Sequence, residues 1–176
     1  MGNWRPDLEI THRDTARYYL RQAYACAIEE SQDPYIKVGA VIVNPADMVV
    51  GTGANRFPRG LEPTSEQLAD VNWRIENIIH AEHSAIFNAA KHGKSTDVTT
   101  MYMPWFPCFH CAEAIVDAGI TELIGHRAMI NKTRESWFES MKESLKLFRN
   151  AGVGCFVYEG EIGKVKGFFE GREWTP

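Results

Sequence analysis

The chain has 176 residues, 44% hydrophobic and 24% charged, with 19 basic and 23 acidic side chains and a net charge of −4. That length suits one domain with a sizeable core and falls short of two, in a composition ordinary for a soluble globular protein. No apolar run approaches the roughly 18 residues of a membrane span, and the acidic balance argues against a long polyanion while leaving room for a single mononucleotide phosphate.

In chain order, Met1-Gly2-Asn3-Trp4-Arg5-Pro6-Asp7 has no basic segment leading into an apolar one, so no signal peptide is expected. Its Met1-Gly2 start is half of a myristoylation pattern, because position 6 is Pro6 rather than Ser or Thr. Residues 14 to 31 read as a helix with Ala16, Tyr19, Leu20, Ala23 and Ala27 at helical spacing, Cys26 on the same side, and Asp33-Pro34 as its stop. Lys37 to Val43 and Met48 to Gly53 read as two strands around Asn44-Pro45-Ala46-Asp47, a hairpin. Residues 54 to 79 read mostly as loop with a short helical stretch near Ser65 to Asp70. Next come a helix over 80 to 92, a strand from Thr99 to Met103, a helix over 108 to 118 and a strand from Thr121 to Gly125. From Thr133 to Asn150, Trp137, Met141, Leu145 and Phe148 form one apolar stripe, and the strand Gly154 to Tyr158 follows. The tail from Glu159 to Pro176 has no clear assignment. Alternating helices and strands in the second half predict a helix-covered sheet with parallel neighbours, in one domain of core 14–158 plus the tail.

Two half-sites carry the chemistry: His80-Ala81-Glu82, then Pro107-Cys108-Phe109-His110-Cys111. Cys108 and Cys111 are three apart at a predicted helix start, so both thiols share one face. Helix N-termini also favour the thiolate that zinc requires. His80 would add a nitrogen ligand, and three protein ligands leave the fourth tetrahedral position for water. Two thiolates cancel the dication, which weakens its pull on water and makes a nearby base useful; Glu82, two residues past the ligand, is that base. Two other readings of the same residues are a redox Cys-x-x-Cys pair and a four-ligand structural zinc recruiting His83 or His110. His110 should turn away from the metal, and His83 is either packed or hydrogen-bonded to the ligands. Without an export signal the four cysteines are expected to be reduced, buried or metal-bound, Cys26 among them as core, in a cytoplasmic protein.

H-x-E followed by P-C-x-x-C is the signature of zinc deaminases acting on cytosine or adenine. With Ser31-Gln32-Asp33-Pro34, Val38 to Val43 and Ala118-Gly119-Ile120 beside it, the chain resembles the cytidine and deoxycytidylate deaminase superfamily from about Arg17 to Tyr158. The resemblance implies an α/β fold, a three-layer α/β/α sandwich with a five-stranded mixed sheet. It also implies one Zn2+ per chain, Glu82 as general acid and base, and a homo-oligomer, dimer or larger. It carries a sugar contact to Asn55, in Gly53-Ala54-Asn55-Arg56, where a turn role is the alternative. Three positions depart from the deoxycytidylate deaminase pattern: Ser84, where an asparagine is usual, and Ala54 and Arg56, where Gly-Tyr-Asn-Gly is usual in place of Gly53-Ala54-Asn55-Arg56. Residues 55 to 79 contain no Cys or His for a further zinc cluster. Asn55-Arg56-Phe57-Pro58-Arg59-Gly60 is also similar to transfer-RNA adenosine deaminases, which carry Asn-Arg-Pro there.

The base needs a flat partner, and Phe57, Trp105 and Phe106 flank the site, with Ala81 also set against the substrate. For a 5′-phosphate the expected cations are Arg56, Arg59 and His126-Arg127, the last pair at the C-terminal end of a strand, where open α/β sheets bind ligands. The favoured reading is deamination of dCMP to dUMP and ammonia. A free base, a nucleoside or a modified cytosine or purine is the alternative. A transfer-RNA or single-stranded-DNA editor ranks below both, because no basic stripe is present.

Overall fold

Successive strand residues feed opposite cores, and that alternation organises the molecule. The computed structural model describes residues 6–176; the start of the chain through Arg5, read above for export and acylation signals, lies outside the described residues. The elements are β1 (Glu9–Ile10), α1 (Asp14–Glu30), β2 (Gly39–Val43), β3 (Val49–Ala54), α2 (Ser65–Ala69), α3 (Val71–Asn77), α4 (Ala81–Lys91), β4 (Thr99–Tyr102), α5 (Phe109–Asp117), β5 (Ile120–His126), α6 (Arg127–Ile130), α7 (Phe138–Ala151), β6 (Gly154–Tyr158), β7 (Gly167–Phe169) and β8 (Arg172–Trp174). A 3-10 turn, Glu135–Trp137, leads into α7.

Six strands form one mixed sheet in the order β1-β6-β5-β4-β2-β3. β2 runs antiparallel to both neighbours, while β4, β5, β6 and β1 are mutually parallel. The α/β/α layering is as expected, but the sheet has six strands rather than five. The extra strand, β1, is two exposed residues pairing with the outer edge of β6, too short and too polar to leave a period in the sequence.

Ala40, Ile42, Met101, Met103, Leu123 and Val157 face α4, α5 and α7. Val41, Val43, Tyr102 and Ile124, their immediate neighbours, face α1 and the C-terminal segment. Small residues bring the layers close. A Cβ on Gly39 would lie 2.1 Å from the Ala23 carbonyl of α1, and one on Gly53 would lie 2.4 Å from the Ala85 nitrogen of α4. Ala81, Ala85 and Ala89, buried at i, i+4 and i+8, are the helix side of that contact.

Two segments differ from the sequence reading. Residues 54 to 79 hold two helices, not one: α2 opens with a Thr64–Gln67 capping box, and Asp70 ends α2 while capping α3 by accepting from Asn72 N and Trp73 N at 2.9 and 3.2 Å. The tail is ordered. Ile162 is fully buried, its carbonyl accepts from Arg17 and Arg21, and β7 and β8 close through Glu170-Gly171, both at positive φ (52° and 74°) as a type I′ turn requires.

Candidate zinc centre and active-site cavity

Two helix N-termini converge on one point. His80 is the N-cap residue of α4, Cys108 is the N-cap residue of α5, and Cys111 lies in the first turn of α5. Neither cap residue makes a side-chain capping hydrogen bond. His80 Nδ1 stands 3.3 Å from Cys111 Sγ and 3.5 Å from Cys108 Sγ, and the three ligand atoms lie within 4.8 Å of one another. Tetrahedral zinc with Zn–S near 2.3 Å and Zn–N near 2.0–2.1 Å puts sulfur and nitrogen about 3.6 Å apart, so this donor set fits the ion. Both cysteines are buried and none of the described cysteines is in a disulfide. His110 points to solvent and pairs with Glu113 at 3.1 Å, while the His83 ring stacks on Phe87. Neither is the fourth member of the cluster.

The cluster is electrostatically coupled. A hydrogen bond from Cys111, working against burial and helped by His80, pulls the Cys108 thiol down to about 4, whereas the same bond and burial push Cys111 up. Burial opposes the charge on His80, but the bond with Cys108 and the charges of Glu82 and Cys108 outweigh it and raise the ring to about 9. Glu82, on the first turn of α4, is buried, reaches the Cys111 thiol and has its pKa raised above the carboxylate range, chiefly by desolvation.

These groups form the floor of a cavity of about 570 Å³. His80, Ala81, Glu82 and Cys108 line it below, and Asn55, Trp105 and Phe106 line its walls. Asn55 is locked in place: its Oδ1 accepts from Ser31 Oγ (2.6 Å) and Val38 N (2.9 Å), and its Nδ2 donates to Ile36 O (2.8 Å). An amide nitrogen has two hydrogens, so one donor of Asn55 is left for a ligand. Trp105 is held by a bond from Nε1 to Thr133 Oγ1 at 2.6 Å and by an edge-on contact with Phe169 of β7. Phe106 packs edge-on against Phe148.

Five residues expected near the substrate lie elsewhere. Arg56 does not line the cavity; it donates from Nε to Ser84 Oγ (3.0 Å) and from Nη1 to Phe57 O (3.3 Å), so two of the positions that depart from the family pattern are partners in one hydrogen bond. Phe57 is buried against Trp73, outside the cavity. Arg59 is exposed and not part of the lining. His126 falls on the opposite face of the sheet. Leu123 faces the zinc side, so strand alternation sends Ile124 and His126 to the α1 side, where Tyr24 OH meets His126 Nδ1 at 2.8 Å and Trp174 stacks over the ring. Arg127 pairs with Glu159 at 2.9 Å and donates to Pro6 O. The end of β5 was correctly placed; the side chains at that end were not.

The cavity also takes residues that sequence reasoning left unassigned. Arg74 and the apolar Val71, Ile75 and Ile78 come from α3 and its C-cap, Tyr35 comes from the Asp33-Pro34 turn, and the Arg134–Glu170 ion pair (2.8 Å) comes from the α6–α7 connection and the tail. Trp137, part of the apolar stripe, packs against the core and also sets its ring 6.1 Å from that of His80 at the cavity. The Asp70 cap was a usable signal for α3; nothing local announces the contribution of the tail.

Residues 13–126 match the family described as the cytidine and deoxycytidylate deaminase zinc-binding region. The chain is 35% identical over 155 residues to the deoxycytidylate deaminase of Mus musculus, covering 84% of this chain and 82% of that one. To the deoxycytidylate deaminase of Homo sapiens it is 36% identical over 145 residues, covering 77% and 75%. Among solved structures, the dCMP deaminase of the cyanophage S-TIM5 aligns with a TM-score of 0.61 at 18% identity, over 84% of this chain and 99% of that one, a likeness in fold.

Proposed function

This chain belongs to the cytidine and deoxycytidylate deaminase zinc-binding family, and from that premise we propose that it is a zinc-dependent hydrolytic deaminase converting dCMP and water to dUMP and ammonia. The observation that carries the reading is the buried carboxyl of Glu82 beside a His80–Cys108–Cys111 donor set of zinc dimensions, on the floor of a nucleotide-sized cavity. The Mus musculus and Homo sapiens relatives bear the name deoxycytidylate deaminase, and the S-TIM5 enzyme has also been solved with dCMP and dUMP.

His80, Cys108 and Cys111 hold the ion, which when bound supplies a Lewis acid that brings the pKa of water toward neutrality. Glu82 takes the proton that water gives up as its oxygen joins C4 of the cytosine. It passes that proton to N3 of the ring and then carries the second water proton, from the C4 hydroxyl, to the amino nitrogen as the C4–N bond breaks, so water enters, ammonia leaves and the carboxylate is restored. Burial suits it to both halves, because desolvation raises its proton affinity above that of an ordinary carboxylate. The free Nδ2 hydrogen of Asn55 orients the sugar, and Trp105, Phe106 and Ala81 shape the slot for the base. The chain acts as a single deaminase domain in the cytoplasm; none of its described helices is long and apolar enough to cross a membrane. It acts as a homo-oligomer, for which the half-exposed Phe87 on α4 offers apolar contact surface.

Ammonia release by the zinc-loaded protein, measured over cytosine, deoxycytidine, dCMP, adenine and adenosine, tests the reading. dCMP should give the highest kcat/KM; a free base or nucleoside turning over faster would move the assignment to a base or nucleoside deaminase.

A further inference from the structure

Arg74 is the shielded cation of the cavity. Only 8% of the residue is exposed, yet it lines the same space as His80 and Glu82. Nη1 donates to the Leu68 carbonyl, and the guanidinium lies 4.2 Å from the centre of the Tyr35 ring. Nε is buried without a hydrogen-bond partner. The Asp33 carboxylate stands 3.7 Å from it, too far for a hydrogen bond, and its other oxygen is taken by Tyr35 N and Ile36 N at 2.7 and 3.0 Å. A buried charged donor left unbonded is costly, and such groups in native proteins call for an explanation.

Resting on the reading of this site as a cytosine-nucleotide deaminase, we propose that Arg74 receives the 5′-phosphate and sets the preference for nucleotide over nucleoside. The guanidinium fork matches phosphate oxygens in charge and in shape. Arg74 precedes His80 by one helical turn and two extended residues, so their Cα atoms are at most about 13 Å apart. A nucleotide with its base against the His80 end therefore brings its phosphate within reach of the arginine side chain. The competing cations are less suited. Arg56, Arg59 and Arg127 do not line the cavity, and Arg134, which does, is half exposed and gives both Nε and Nη2 to Glu170.

A purely structural Arg74, bracing α2 and α3 against the Asp33 turn, makes a different prediction, because its loss would harm every substrate alike. The test compares kcat/KM for dCMP and deoxycytidine in the zinc-loaded wild type, Arg74→Gln and Arg74→Lys. Losing one charge-assisted phosphate contact should lower dCMP efficiency about 10–100-fold in Arg74→Gln, with deoxycytidine changed by less than about 3-fold. Arg74→Lys should recover part of the dCMP preference, since it returns the charge without the fork. If both substrates fall together, or the dCMP-to-deoxycytidine ratio stays at its wild-type value, Arg74 does not recognise phosphate. Should Arg74→Gln fail to fold, the ratio in Arg74→Lys decides in the same way. A wild type that shows no preference for dCMP would overturn the nucleotide reading itself, and the role of Arg74 with it.

Discussion

Replacing His126 with Asn should remove a large acid-dependent component of stability. In the folded protein Tyr24 OH donates to Nδ1 and Nε2 faces the Gly160 carbonyl at 3.1 Å, an arrangement satisfied by the neutral ring protonated on Nε2. Burial, only partly offset by the Gly160 carbonyl, holds the pKa at about 4 against 6.5 for a free imidazole. Because the folded pKa is the lower one, the unfolded chain binds a proton that the folded chain refuses. The stabilisation is then complete above about pH 6.5 and is lost as the pH falls toward 4. At about 1.4 kcal/mol per unit, the loss is about 2 kcal/mol by pH 5 and about 3 kcal/mol by pH 4. Urea denaturation of zinc-loaded wild type and His126→Asn at pH 7 and pH 5 isolates this component, because acid release of the metal affects both proteins. The variant should start less stable, having left Tyr24 or Gly160 unpaired, but should lose about 2 kcal/mol less between the two pH values. Equal losses in the two proteins would refute the argument.

Cys108→Ser should purify with little zinc, since two remaining ligands cannot replace a thiolate donor; metal analysis showing one zinc per chain would remove Cys108 from the site. Glu82→Gln should keep zinc and melting behaviour yet lose about 10²–10⁴-fold in kcat, the usual worth of a general acid–base group, and near-normal turnover would end its assigned role. Gly53→Ala would place a methyl 2.4 Å from Ala85 N and 2.6 Å from the Ser84 carbonyl carbon. It should lift α4 from β3 at a cost of about 1–3 kcal/mol in urea unfolding, and loosen zinc in chelator competition because α4 carries His80. An unchanged midpoint would show that the packing is slacker than described.

The features legible in the chain were those whose geometry is settled within a few residues. Cys108 and Cys111 meet because they are three apart at a helix start, and Glu82 follows His80 into the same first turn. Helical spacing likewise placed Cys26 in the core, where burial, seconded by Glu29 and Glu30, raises its thiol to about 12 and keeps it inert. The β2–β3 hairpin and the parallel run of β4, β5 and β6 followed from strand composition and from the helices between them.

Which face a residue occupies, and what stands opposite it, was decided only by the assembled layers. His126 and Arg127 end the expected strand, but a one-residue step in a strand reverses the side chain, and His126 was turned toward Tyr24 and Trp174, away from the zinc. Arg56 looked like a cation at the mouth until Ser84, 28 positions away, proved to be its partner. Arg74 looked like one solvated arginine among many, and its burial depends on Asp33 and Tyr35, about 40 positions earlier in the chain. The Cys108–Cys111 pair was thus written locally by helix spacing, whereas much of the cavity lining around it comes from α3, the Asp33 turn and the tail. Contacts between such distant segments are set by packing across layers, and packing leaves no period in the sequence.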